Sequence, residues 1–364
     1  MIPFLSLARG YQALKPELDA AVARVMSSGQ YILGNEVEDF ERAFASYCQS
    51  AHAIGVGNGL DALVLSLRAL GVGQGDEVLV PSHTFIATWL AVTLVGATPV
   101  PVAVCSDTYN LDPSRLEQAL TPRTKAVIVV HLYGQPADLD PVLEFAKKHR
   151  LWVVEDAAQA HGAQYRGRRI GGHGDVVAWS FYPGKNLGAM GDAGAVTTQR
   201  DDIAAAVRRL RNYGSDEKYI HKECGYNSRL DPIQAAVLGV KLKVLDEWNQ
   251  RRAQVAGLYL THLDSTYLTL PVVPDFAQPV WHLFVIRHPR RDALQAALTS
   301  AGVQTLIHYP VPPHLQEAYR SLGLQDAQSE ALANTLLSLP MDPLMPKGDV
   351  LKVIDVVNSC ASRV

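Results

Sequence analysis

Apolar positions along the first 200 or so residues fall into two alternating textures. One has the period of an amphipathic helix. "PELDAAVARVMSSG" opens with Pro16 in its first turn, sets Leu18, Val22, Val25 and Met26 along one side, and stops at Gly29. "NEVEDFERAFASYC" stripes Val37, Phe40, Phe44 and Tyr47 behind Asn35 and Glu38 at capping-box spacing. The other texture is short β-branched runs with little alternation: "GDEVLVP", "TKAVIVVHLYG", "RLWVVEDAA" and "DVVAWSFY". Such runs are expected of strands buried on both faces. Helical segments separate them, among them "DPSRLEQAL" behind Asp112-Pro113, and "DLDPVLEFAKKH". Strand and helix in alternation imply an α/β fold, a mostly parallel sheet sandwiched by helices. Ligands of such sheets sit off the carboxyl ends of the strands. Asp156 lies at one such end and Lys185 just beyond another.

From "NSRLDPIQAAVLGVKLKVLDEWNQRRAQVAGLYLTHL" onward the pattern changes to a long helix with Leu238, Leu242 and Leu245 on one stripe. The segment "VWHLFVIRHPRRDALQAALTSAGVQTLIHYPVP" then alternates strand, helix and strand, as a small α+β module does. At 364 residues the chain is long for one core. The expected division is a large α/β domain over residues 1–245, including the N-terminal segment, and a small C-terminal α+β domain over 246–364.

Composition narrows the function classes. With 48% hydrophobic and 19% charged residues the chain is an ordinary globular one, and its net charge of −3 argues against nucleic acid as a partner. Cys48, Cys105, Cys224 and Cys360 lie far apart, with no C-x-x-C pair and no metal-ligand spacing, as expected of free thiols in a reducing compartment and of no metal site. "MIPFLSLARGYQ" lacks the basic and apolar regions of a signal peptide. The apolar stretch from Trp89 to Val104 is broken by Gly96, Pro99 and Pro101, so it is expected to form a buried helix and a strand, not a membrane span. A cytoplasmic protein that does not use a membrane is the expectation.

Three features carry chemistry. "GVGNGLDALVLSLRALG" brings Gly57, Asn58, Gly59 and Leu60 to the start of a helix, either as a plain loop-to-helix cap or as an anion site. "VVEDAAQAHG" ends a buried strand on acids, which either cap the next helix or face a protonated ring nitrogen. "SFYPGKNLGAMGDAGAV" places Lys185 in a tight turn among aromatics and glycines, the setting of a desolvated lysine able to act as a nucleophile. A phosphate cradle, a carboxylate for a pyridinium and a Schiff-base lysine are together what pyridoxal 5′-phosphate requires.

The chain resembles the DegT/DnrJ/EryC1/StrS family of sugar aminotransferases, pyridoxal-phosphate enzymes of fold type I. The resemblance runs from "IPFLSL" to "LSLP" near residue 340, through "PSHTFIAT", "EDAAQAHGA", "SFYPGKNLG", "RNYGS", "NSRLD", "QAAVL" and "HYPVP" in the family's order. The stretches "RNYGSDEKYIHKECGYNSRLD" and "HYPVPPHLQEAY" are most similar to members that aminate C3 of dTDP-linked 3-keto-6-deoxyhexoses, with L-glutamate as amino donor. The resemblance implies that Lys185 carries the cofactor and shuttles the proton, that Asp156 keeps the pyridine nitrogen protonated, and that Gln159 meets the phenolic oxygen. It implies that Phe85 stacks on the ring, and that Gly59, Leu60 and Ser180 hold the phosphate. Asn227 matches the residue that reaches this phosphate from a partner subunit, so the functional unit expected is a homodimer with shared sites.

For substrate, Lys218 and Arg229 are the candidate cations for the diphosphate, with Tyr219 beside them. Tyr182, His161, His308 and Tyr309 are the candidates around the hexose. One position departs from the family pattern, since Leu60 stands where many members have threonine and removes a side-chain donor to the phosphate. Amination at C4 and a non-catalytic cofactor-binding regulator are the alternative readings. A sugar dehydratase is disfavoured, because relatives of that kind carry histidine where this chain has Lys185.

Overall fold

A computed structural model describes residues 1–364. Seven strands form its main sheet: β1 (His52–Val56), β2 (Glu77–Pro81), β3 (Thr98–Val102), β4 (Thr124–Val130), β5 (Trp152–Asp156), β6 (Val176–Ser180) and β7 (Gly194–Thr198). Their order is β1-β7-β6-β5-β4-β2-β3. The run from β3 to β6 is parallel, and β7 is antiparallel to both of its neighbours.

The sheet is apolar on both faces, which is why its strands show no polar alternation. β4 sends Ala126, Ile128 and Val130 to one core and Val127 and Val129 to the other. On the first face, helices Gly59–Ala69, Ile86–Leu94 and Asp201–Leu210 contribute Leu63, Leu67, Trp89, Val92 and Val207. On the second, helices Asn35–Tyr47, Leu139–His149 and Pro232–Leu242 contribute Phe40, Phe44, Val142 and Leu238. A third core lies in the C-terminal part, where helices Leu245–His262, Arg291–Ser300 and Lys347–Ala361 cover an antiparallel pair, β8 (Phe284–Arg287) and β9 (Leu336–Leu339). Ile2 joins this third core and bridges Val303 in parallel fashion, so the chain start packs with the C-terminal elements. No helix is long and apolar enough to cross a membrane, and all four cysteines are free.

Several local expectations are corrected. Helix Lys15–Ser28 buries Leu18, Ala21 and Val25 and leaves Met26 exposed, because Ala21 is small enough to pack on Ala236 of the facing helix. Asn35 lies inside its helix with no side-chain cap, and Gly34 at φ 88° makes the turn ahead of it. The long helical pattern splits into Pro232–Leu242 and Leu245–His262. Hydrogen bonds tighten to three-residue spacing at Lys243 and Val244, where the chain passes from the second core to the third. "LIHYPVP" is not a strand, and only Leu306 bridges Ser338. Pro310 and Pro312 have no N–H to continue a ladder.

Phe44 is wholly buried, with the rings of Phe40, Trp179 and Phe181 centred 5.5, 5.2 and 5.2 Å away. Phe44→Ala is expected to cost about 3–5 kcal/mol in urea denaturation. A loss below about 1 kcal/mol would show that this face repacks around the cavity.

Candidate active site

β6 ends at Ser180, Phe181 turns inward to full burial, and Tyr182 turns out to 60% exposure. The Lys185 N–H then donates to the Tyr182 carbonyl at 2.8 Å, closing the turn. Gly188 is required, since a Cβ there would sit 2.3 Å from the Pro183 carbonyl oxygen. The turn delivers the Lys185 side chain into a cavity of about 1100 Å³ at the carboxyl ends of the parallel strands. Burial lowers the Lys185 pKa to about 8, and the facing Asp156 charge opposes the shift. The neutral fraction of the amine near physiological pH is therefore a minority, but far larger than for a lysine in water.

Successive strand residues point to opposite faces, and this separates the two acids of "VVED". Asp156 lines the cavity. It accepts from the Thr88 hydroxyl at 3.0 Å and the Ala158 N–H at 3.2 Å. Burial raises its pKa, against the pull of those two donors and of Lys185. Glu155 faces the other way, wholly buried, and accepts from the His173 and Gly174 N–H groups at 3.0 and 2.6 Å. It also meets His131 Nε2 at 3.0 Å, and because His131 Nδ1 accepts from the Ala137 N–H, the hydrogen-bond network assigns the proton to Nε2. Glu155 is thus fully engaged inside the fold.

Gly59 starts its helix behind Asn58, whose side chain accepts from the Asp61 N–H at 2.8 Å. The first helical N–H groups, those of Gly59 and Leu60, have no acceptor within the helix and border the cavity. A Cβ at position 59 would lie 2.5 Å from the Ser180 Cβ, so glycine lets the helix start abut the end of β6. An anion seated there meets backbone N–H groups, the helix dipole and the Ser180 hydroxyl together.

Phe85, 53% exposed, Gln159, His308 and Tyr309 complete the part of the lining that the sequence singles out. The Phe85 and Tyr309 rings are centred 5.3 Å apart. Gln159 Oε1 accepts from the Tyr133 N–H at 2.6 Å, while its Nε2 donates to the Tyr309 hydroxyl at 3.1 Å and keeps one further N–H. His308 is neutral, its pKa lowered to about 4 by burial and then by Lys185.

Other expected residues lie elsewhere. His161, assigned to the hexose, is wholly buried and does not line the cavity. It packs against the rings of Trp179 and Phe181, centred 5.2 and 5.6 Å away, because its strand-end loop folds beneath the lysine turn. Asn227, Arg229, Lys218 and Tyr219 are also outside this chain's cavity. Asn227 bridges Asn212. Arg229 donates to Asn212 Oδ1 at 3.0 Å and lies over the Tyr213 ring. Lys218 and Tyr219 sit in an exposed hairpin between Ser215–Glu217 and Ile220–His221.

Sequence reasoning missed Thr88, His282 and Arg252. Thr88, in the first turn of the helix Ile86–Leu94, shares a hydrogen bond with Thr84 ahead of that helix and donates to Asp156. His282 lines the cavity from the C-terminal part. Asn186 Nδ2 donates to Asn249 Oδ1 and the Val280 carbonyl, each at 2.9 Å, so Asn186 Oδ1 is left to accept from His282 Nδ1 at 3.1 Å. The network therefore gives His282 a bare Nε2. Burial, then Lys185 and Arg252, hold its pKa well below the ordinary histidine range. No local motif signals this, since His282 and Asn186 are far apart in sequence.

A lysine amine, a buried carboxylate and a helix N-terminus against a glycine now share one cavity. They fit pyridoxal 5′-phosphate, whose aldehyde, ring nitrogen and phosphate need those three groups.

Residues 12–358 match the model of the DegT/DnrJ/EryC1/StrS aminotransferase family. The chain is 53% identical, over 100% of its length and 97% of the relative's, to a dTDP-3-amino-3,4,6-trideoxy-alpha-D-glucose transaminase of Streptomyces venezuelae. It is 51% identical to a dTDP-3-amino-3,6-dideoxy-alpha-D-galactopyranose transaminase of Aneurinibacillus thermoaerophilus, over 98% of this chain and 99% of that one. Among solved structures, S. venezuelae DesV in complex with a ketimine intermediate superposes with a TM-score of 0.98 at 53% identity, covering 100% of this chain and 99% of that one.

In the cofactor-free protein, labelling of Lys185 by an amine-directed reagent, followed by peptide mass spectrometry, should rise with pH through a midpoint of about 8. The neutral amine is the reactive form. Asp156→Asn removes the charge that favours the ammonium, so its midpoint should fall further. A midpoint at the ordinary lysine value of about 10.4 would place the amine in water.

Proposed function

This chain belongs to the DegT/DnrJ/EryC1/StrS aminotransferase family, and from that premise we propose its specific reaction. It transfers the amino group of L-glutamate to C3 of a dTDP-3-keto-6-deoxyhexose, giving a dTDP-3-amino-3,6-dideoxyhexose. The observation that carries the chemistry is Lys185 facing Asp156 in one cavity. The substrate class rests on what the names of the two relatives share, the dTDP carrier and the 3-amino group; the names differ at C4.

Pyridoxal 5′-phosphate supplies a carbonyl that takes up an amine and a protonated ring that accepts the electron pair freed at the adjacent carbon. Lys185 Nζ would anchor the cofactor and would carry the proton to and from the substrate carbon. A lowered pKa suits both tasks, since each needs the neutral amine for part of the cycle. Asp156 would keep a ring N–H paired, and Thr88 and Ala158 fix the carboxylate's orientation. Gly59, Leu60 and Ser180 would hold the phosphate, Gln159 would offer its remaining N–H to the phenolic oxygen, and Phe85 would pack against the ring. His308, Tyr309 and Tyr182 surround the hexose. The two half-reactions use the same cavity in turn, which makes the kinetics ping-pong.

The working unit in this reading is a homodimer. Arg229 and Asn227 lie outside their own chain's cavity, and Lys218 and Tyr219 project from an exposed hairpin, as residues serving a neighbouring site would. Met26, Tyr31 and Ile32 add an exposed apolar patch on the same protomer. Lys218 and Arg229 then meet the diphosphate of the sugar nucleotide in the partner's cavity.

Two measurements test these readings. Lys185→Ala and an Asn227→Ala/Arg229→Ala double variant are each expected to be inactive, and mixed dimers should regain activity in the one site built wholly from intact residues. Mixed dimers verified by native mass spectrometry that stay inactive would remove Asn227 and Arg229 from the partner's site. With L-glutamate and both 3-keto and 4-keto forms of a dTDP-6-deoxyhexose, NMR should place the new amine on C3. A one-carbon shift of the ring moves the reacting atom by more than about 1 Å, a displacement that can cost roughly 10² in rate. An amine found only on C4 would refute the C3 assignment while leaving the transaminase machinery in place.

A further inference from the structure

Arg252, on the helix Leu245–His262, is 4% exposed and lines the active-site cavity. Its Nη1 donates to the Met341 and Trp281 carbonyls at 3.1 and 3.4 Å, and its other guanidinium N–H groups have no partner in the chain. It forms no ion pair. The nearest carboxylate influence is Asp342, whose oxygens are already engaged by Arg9 at 3.2 Å and by the Ser6 and Leu344 N–H groups at 3.1 and 2.9 Å. A buried guanidinium left without an anion is costly and is retained where an anion arrives. Burial lowers its pKa to about 10, so it stays charged near neutrality.

Other polar groups share this cavity wall. Thr305, also a lining residue, is 8% exposed, and its hydroxyl has no partner in the chain. His282 feels the charges of both Lys185 and Arg252, which places it near each, and it presents a bare Nε2. No acidic side chain other than Asp156 and Asp192 borders this cavity.

We infer that Arg252 is the subsite that holds a carboxylate of the amino donor. The inference rests on the proposed use of L-glutamate. A small carboxylate matches a deep, nearly sealed guanidinium, and the forked donors of arginine suit the planar anion. A sugar-nucleotide diphosphate is bulkier and is met, in the reading above, by cations outside this chain's own cavity.

The half-reactions separate the two ligands. Cofactor-loaded protein is titrated with L-glutamate alone, by the absorbance change of a single turnover, and separately with the dTDP-3-amino sugar. Arg252→Gln should raise the half-saturating L-glutamate concentration about tenfold to a hundredfold and leave that of the amino sugar within about twofold. Calorimetry with glutarate, a dicarboxylate without the amine, should show the same weakening on cofactor-free protein. Arg252→Lys, which keeps the charge but not the fork, should lie between, and it decides the matter if Arg252→Gln melts well below wild type. Unchanged L-glutamate and glutarate affinity in a folded variant overturns the subsite, and so does a loss confined to the amino-sugar half-reaction. Wild-type protein that never turns over with L-glutamate refutes the donor assignment instead, and the glutarate titration then still judges Arg252.

Discussion

One constraint organises this molecule: a lysine amine is drawn into a cavity and partly desolvated there, with a single carboxylate facing it. Desolvation works against the ammonium of Lys185 and against the carboxylate of Asp156 at once, and each charge partly relieves the other. The surrounding histidines follow from that balance. His161, His282 and His308 all have lowered pKa values, with burial the main cause and Lys185 a further one in each case. Neutral rings leave Asp156 as the carboxylate that Lys185 senses, and they keep the cavity from becoming a cluster of repelling cations.

The fold brings these groups together by edge geometry. Strands β1 to β6 all run the same way, with only β7 reversed between β1 and β6, so the end of β5, the turn after β6 and the helix following β1 converge at one side. Close packing then sets the distances. Gly59 permits helix and strand ends to touch, and Gly194 does the same beneath, where a Cβ would lie 2.4 Å from the Asn58 carbonyl oxygen. The C-terminal part is tied to the lysine turn through Asn186, the residue after Lys185. Asn186 is hydrogen-bonded to Asn249 of the long helix, to the Val280 carbonyl and to His282. A shift of the C-terminal part is thereby felt one residue from the reactive amine. The N-terminal segment adds a second tie: its Phe4 and Leu5 line the cavity while its Phe4 carbonyl accepts from Met341.

Much of this was legible in the chain before any coordinates. β-Branched runs without polar alternation marked β2, β4, β5 and β6, because a strand covered on both faces has no use for polar positions. Glycines around Lys185 marked a turn that backbone sterics reserve for glycine. Asp156 at a strand end, the helix start at Gly59 and Phe85 ahead of an apolar helix were all readable from local patterns and from the family's motif order. Their chemistry depends on residues a few positions apart.

What the linear pattern left undecided depended on contacts between distant segments. Met26 or Ala21 could each complete a helical stripe, and the small Ala236 on another helix selected Ala21. His161 follows the acidic motif closely, yet its loop carries it under Trp179 and Phe181 and away from the cavity. Arg252 carries no local mark of function in "WNQRRAQ", because its lack of an ion pair exists only once the Met341 and Trp281 carbonyls meet it and Asp342 is taken up by Arg9. The sequence by itself determined the elements and the reactive groups, through short-range sterics and hydrophobic periodicity. Only the tertiary structure decided which groups share a cavity and which charges go unpaired, because desolvation and ion pairing are set by neighbours that lie far away along the chain.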